Sequence, residues 1–96
     1  MSYELNKKYV AEHLTERDLL EGLAEEASEL TKAALKLIRA NGTNNFTPVT
    51  VDDAKANLIE ELGDIAMIID ILGIKVPQSS DNTKWNRWAT RIKERK

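Results

Sequence analysis

Cysteine is absent from this chain, and its absence excludes disulfides, thiol chemistry and every zinc site that needs a thiolate. Histidine occurs once, at His13, which reads as a solvated residue near a helix end. No Glu-x-x-His pair exists, so the carboxylate-bridged di-iron oxidases, which gather helical glutamates through such pairs, are excluded as well. No apolar run approaches the roughly 20 residues of a membrane span, and the first residues lack the basic-then-apolar pattern of a signal peptide. Neither sign of charge dominates. A net charge of −2 and a pI near 5.4 give no field to attract nucleic acid or an anionic membrane, although the last stretch is locally basic. The expectation is a cytoplasmic protein with no nucleic-acid and no membrane partner.

What remains is one domain, residues 1–96, of 42% hydrophobic composition. A chain this short buries a limited core alone, so association would help it. No strand signal and no low-complexity segment is present, and the expected class is all-α. Leu5, Tyr9, Val10 and Leu14 recur at spacings near four and suit a short helix or an ordered arm over 2–14. Thr15-Glu16-Arg17-Asp18 resembles a capping box and opens a helix over 16–40, which stops at Asn41-Gly42. Its apolar positions are Leu19, Leu20, Leu23, Ala27, Leu30, Ala34, Leu37 and Ile38. The stretch 41–49 is loop by composition. Thr50-Val51-Asp52-Asp53 repeats the start signal for a helix over 51–72, closed by Gly73, with Ala54, Leu58, Ile59, Leu62, Ile65, Ala66, Ile69 and Leu72 as its stripe. After Pro77, the residues Ser79, Ser80 and Asp81 offer caps for a last helix over 81–94, striped by Trp85, Trp88 and Ile92.

Two acidic words stand out against these stripes: Glu26-Ala27-Ser28-Glu29 and Glu61-Leu62-Gly63-Asp64. Positions i and i+3 share a helix face, so each word is a two-carboxylate claw. At about 100° per residue, Glu26 falls about 20° from Leu19 and Leu37, and Glu61 about 20° from Ile68 and Leu72. Glu29 and Asp64 sit at the edges of the same arcs. An ionised carboxylate aimed at a core without a partner costs several kcal/mol. Any single Glu on a helix is ordinarily solvated or half of an i,i+4 pair, and Glu25 and Glu60 read as such exposed charge. Two helices making the same departure point instead to a shared cation, and oxygen-only ligation suits Mg²⁺, with Mn²⁺ as a substitute.

The pattern Glu-Glu-Ala-Ser-Glu-Leu at 25–30 followed by Glu-Glu-Leu-Gly-Asp-Ile at 60–65 resembles the paired E-x-x-E and E-x-x-D signature of the MazG-like, all-α nucleoside triphosphate pyrophosphohydrolases. The resemblance spans roughly residues 16–72 and extends more loosely to the tryptophan-bearing last helix. It implies that Glu26, Glu29, Glu61 and Asp64 bind Mg²⁺. It implies hydrolysis of a nucleoside triphosphate at the α–β linkage to monophosphate and pyrophosphate, as in nucleotide-pool house-cleaning. It further implies a homodimer or homotetramer in which an antiparallel helical hairpin, joined by the C-terminal helix, completes a four-helix bundle by oligomerisation. One departure stands out: the 31 residues between Glu29 and Glu61 are long for the pattern, and the 41–50 loop is expected to absorb them.

Among the four acids, Glu29 is the expected proton acceptor for the attacking water. Lys84, Arg87 and Arg91 share one face of the last helix and are candidates for binding phosphates, from the same or a neighbouring subunit. The alternative for that face is a solvated basic end that complements the helix dipole. Trp85 and Trp88 suit docking anchors better than base stacking, and Phe46 is a weaker candidate for a base pocket. A competing reading of the whole chain is a catalytically silent helical module for oligomerisation or partner binding. The broad apolar surface of 51–72, reaching Met67 and Ile71, exceeds what one neighbouring helix covers and favours at least a dimer.

Overall fold

The computed structural model describes residues 2–42, 49–77 and 82–95, and the described residues are all-helical. Four helices follow in order: α1 (Tyr3–His13), α2 (Glu16–Asn41), α3 (Val51–Leu72) and α4 (Asn82–Glu94). The residues Ser79, Ser80, Asp81 and Phe46, named above as caps and as a base-pocket candidate, lie outside the described residues.

Local chemistry sets each helix start. Ser2 Oγ accepts from the Leu5 N–H at 3.2 Å and opens α1. Thr15 Oγ1 accepts from Asp18 N–H at 3.0 Å while the Asp18 carboxylate accepts from Thr15 N–H at 2.9 Å, a reciprocal capping box for α2. Thr50 Oγ1 accepts from Asp53 N–H at 3.1 Å and opens α3. At the far end of α3, Gly73 takes φ +72°, and the backbone N–H groups of Gly73 and Ile74 close onto the carbonyls of Asp70 and Ile69. Only glycine adopts that left-handed turn without a Cβ penalty.

Helices α2 and α3 form an antiparallel hairpin. The glycine at 22 approaches Ile68 Cδ1, so the early part of α2 lies against the late part of α3. The interior of this hairpin is thin. Among the described residues the buried ones are Leu19, Ala33 and Ala54, and none of the large side chains is sealed completely from solvent. Small residues at 33 and 54 let two helix backbones approach closely, but they bury little apolar area. The sequence stripe had placed Ala34 inward; Ala33 is the buried neighbour, and Ala34 is half-buried.

The remaining apolar residues split by face. Taking Glu26 and Glu61 as pointing between the helices, projection puts Leu20, Ala27, Leu62 and Ala66 on one broad side of the hairpin. Glu25, Glu29 and Glu60 fall on the other side, because antiparallel helices offset in the same rotational sense turn to the same side. Leu20 and Leu62 are 46% and 49% exposed, an uncovered apolar face. Helix α1 rests against α3 on the acidic side, clasped by an ion pair between Lys7 and Asp70. Both partners are well exposed, so the pair positions α1 more than it stabilises the fold.

Every described residue of α4 is exposed, including Trp85, Trp88 and Ile92. The expected docking stripe therefore does not lie in the hairpin's core. Its two indoles stack on each other instead, ring centres 5.6 Å apart and nearly parallel. The total accessible surface is 8106 Å², where a compact chain of 10.8 kDa exposes about 5,500 Å². The radius of gyration is 17.6 Å, against about 12.5 Å for a compact domain of this length.

Candidate metal centre

The hairpin's register brings the middle of α2 against the middle of α3, and three acids meet there. Glu26, Glu61 and Asp64 each direct one carboxylate oxygen into a cluster in which these atoms lie within 4.8 Å of one another. All three side chains are half-buried. Oxygens around a single Mg²⁺ stand about 3 to 4 Å apart, so modest side-chain rotation converts the cluster into part of an octahedral oxygen shell.

Electrostatics mark the same place. Desolvation pushes the Glu26 carboxyl above its ordinary 4.5, followed by a hydrogen bond with Glu61 and by the charges of Asp64, Glu61 and Glu25. Two carboxyl groups share a hydrogen bond only when one carries a proton. Glu61 Oε2 is sealed from solvent and has no hydrogen-bond partner. Among the described residues, no lysine or arginine pairs with any member of the triad. A buried acceptor without a donor is costly, and a cation or a proton removes that cost. The donor set, all hard oxygen and no sulfur or imidazole, fits Mg²⁺ or Mn²⁺.

Glu29 stands apart from the cluster. It is exposed on α2 one turn beyond Glu26, and its Oε1 accepts from Lys32 Nζ at 3.3 Å. Glu25 and Glu60 are exposed as well. The four acids of the sequence pattern are thus three together and one beside them.

Two of the triad, Glu26 and Asp64, line an open cavity of about 290 Å³ together with Leu14, Leu19, Met67 and Ile71. The α1 residues Val10 and Leu14 supply part of this wall. The contribution of α1 is the part of the site that sequence reasoning missed; its four-residue apolar spacing was visible, but the Lys7–Asp70 clasp that seats it joins residues distant in the chain.

Lys84, Arg87 and Arg91 do come together, lining with Trp88 a shallow depression of about 230 Å³ on α4. No triad residue lines it. His13 sits at the end of α1, exposed, with Nδ1 2.7 Å from the Tyr9 carbonyl and its ring stacked on Tyr9. No described helix is long and apolar enough to cross a membrane.

Comparison with protein-family models, with curated proteins and with solved structures finds no match for this chain.

Proposed function

We propose that this chain is a Mg²⁺-dependent nucleoside triphosphate pyrophosphohydrolase of the MazG-like kind. It adds water across the α–β linkage and releases nucleoside monophosphate and pyrophosphate. The observation that carries the reading is the meeting of Glu26, Glu61 and Asp64 from two helices, with one oxygen of Glu61 buried and unpaired.

In this reading Glu26, Glu61 and Asp64 hold the metal. When bound, Mg²⁺ supplies positive charge against phosphate oxygens and makes water more acidic. Glu29, freed from Lys32, takes the proton of the attacking water and serves as the fourth carboxylate. Lys84, Arg87 and Arg91 bind the phosphates, because guanidinium groups match phosphate oxygens in paired hydrogen bonds. The apolar walls of the cavity beside the triad, from Leu14, Leu19, Met67 and Ile71, face the reacting end of the substrate. Two copies associate through the exposed apolar side of the hairpin, so that α2 and α3 of each complete a four-helix bundle. Cytoplasmic nucleotide-pool house-cleaning is the role this activity implies.

The test is incubation with a panel of nucleoside triphosphates and Mg²⁺, reading pyrophosphate separately from orthophosphate. Pyrophosphate is expected from the wild type, and none from Glu61→Gln or Asp64→Asn, both of which keep their helical circular dichroism. Orthophosphate alone, or unchanged turnover in both variants, overturns the reading. A protein that turns over no nucleotide and melts identically with and without Mg²⁺ is a helical binding module instead.

A further inference from the structure

The hairpin differs in chemistry on the two sides of the triad along its axis. Toward α1, Leu19, Met67, Ile68 and Ile71 line the open cavity with Val10 and Leu14. Both cavities that α1 lines draw their other residues from this end. Toward the opposite end, α2 carries cations. Lys32, Lys36 and Arg39 follow Glu29 at i+3, i+7 and i+10, all four within about 80° around the helix axis.

Two of these three cations have a local explanation. Lys32 pairs with Glu29 at 3.3 Å. Arg39 lies in the last turn of α2, where a cation complements the helix dipole. Lys36 has neither partner nor helix end. Its neighbours at i−4 and i+3 are Lys32 and Arg39, and like charges at such spacing oppose helix stability. The residue is half-buried, and among the described residues no carboxylate lies within ion-pair distance of it. The register that sets Gly22 against Ile68 puts the first turn of α3 across from Lys36, yet Asp52 and Asp53 do not pair with it. Those two acids complement the N-terminus of α3 itself. A lysine stem laid along apolar surface accounts for half-burial. It does not account for a cation set between two others.

We propose that Lys36, with Lys32, binds the β- and γ-phosphates of the substrate, so that the triphosphate lies along α2 with its nucleoside toward α1 and its pyrophosphate toward the loop end of the hairpin. This deepens the proposed hydrolysis and rests on it for the identity of the leaving group. Lys36 lies seven residues beyond Glu29, roughly 10 Å along the axis. Long side chains lean back toward the helix N-terminus, which narrows that gap. As the water oxygen bonds to the α-phosphorus, the bond from that phosphorus to the α–β bridging oxygen breaks, and its electron pair leaves on pyrophosphate. The water's proton passes to Glu29. Negative charge grows at the β-phosphate, and an ammonium already in place there stabilises it. Because Glu29 gives up Lys32 to take the proton, Lys32 becomes free for the same phosphates. The apolar walls at the α1 end offer that charge nothing.

Calorimetric titration of inorganic pyrophosphate into the whole chain, with Mg²⁺ present, tests this. The wild type is expected to bind pyrophosphate, Lys36→Gln to bind it roughly tenfold or more weakly, and Lys36→Arg to keep most of the affinity. Lys36→Gln is also expected to keep the wild-type affinity for Mg²⁺ alone and the wild-type helical circular dichroism. Lys55→Gln removes an exposed lysine from the other broad side of the hairpin and is expected to bind pyrophosphate as the wild type does. If Lys36→Gln lowers helicity, Lys36→Met, which keeps the apolar stem, carries the measurement. Equal weakening in the position 36 and position 55 variants is an effect of net charge and overturns the proposal. So does undiminished pyrophosphate binding in Lys36→Gln, or none in the wild type. A protein that binds pyrophosphate through Lys36 yet releases none from any nucleoside triphosphate removes the proposed hydrolysis and leaves the anion site standing.

Discussion

Glu26 is held where a carboxylate ionises reluctantly, and its proton gives the site a pH signature. Its folded-state pKa lies above the ordinary 4.5, so the folded protein binds a proton more tightly than the unfolded chain does. The stability this provides is present at low pH and is lost as pH rises from about 4.5 through the raised value. In thermal melts of the metal-free protein, the melting temperature is therefore expected to fall across that window. Glu26→Gln, which cannot ionise, is expected to flatten the fall, and Mg²⁺ is expected to restore stability at neutral pH by binding the ionised form. Glu29 separates from the triad by the same logic. With its carboxylate exposed and paired to Lys32, Glu29→Gln is expected to cut kcat by roughly 10²-fold or more while leaving Mg²⁺ affinity near wild type. Glu61→Gln is expected to lose both. Equal metal affinity in the two variants, measured by calorimetry, contradicts that division of labour. The claws themselves were legible in the sequence because i, i+3 spacing on a helix fixes which face carries a residue. Which three of the four would meet was not, since a side chain at the edge of an arc turns outward when a lysine one turn along can pair with it.

Helix boundaries follow from chemistry contained within a few residues. The Thr15 and Thr50 caps and the Gly73 stop are local hydrogen-bonding devices, which is why α2 and α3 begin and end within a residue of where the sequence places them. Gly73→Ala is expected to destabilise the protein by about 1–2 kcal/mol in denaturant titration, through the left-handed backbone at that position. The exact buried face is harder to read. Ala33 and Ala34 are one residue apart on similar small side chains, and only the neighbour's position shows that 33 is sealed and 34 is not. At a site so tightly closed, Ala33→Leu is expected to cost about 1–3 kcal/mol by overpacking, while Ala34→Leu is expected to cost less. The setting of α4 was not legible at all. A basic helix with a tryptophan stripe is compatible with burial against its own hairpin or against another copy, and nothing within thirteen residues distinguishes the two.

A molecule that exposes 8106 Å² on 96 residues leaves a large surface open, and the proposed function covers part of it with a second copy. The apolar broad side that carries Leu20 and Leu62 is the surface that the proposed four-helix bundle buries. Light scattering at micromolar concentration is expected to give at least a dimer, with a melting temperature that rises with protein concentration. A monodisperse monomer with a concentration-independent melt contradicts this. The most direct measurement of the account as a whole is calorimetric titration of Mg²⁺ into the wild-type protein and into Glu61→Gln. Saturable binding in the wild type that disappears in the variant is the expected result. No binding to the wild type, or the same binding to both, would contradict a metal centre built from Glu26, Glu61 and Asp64.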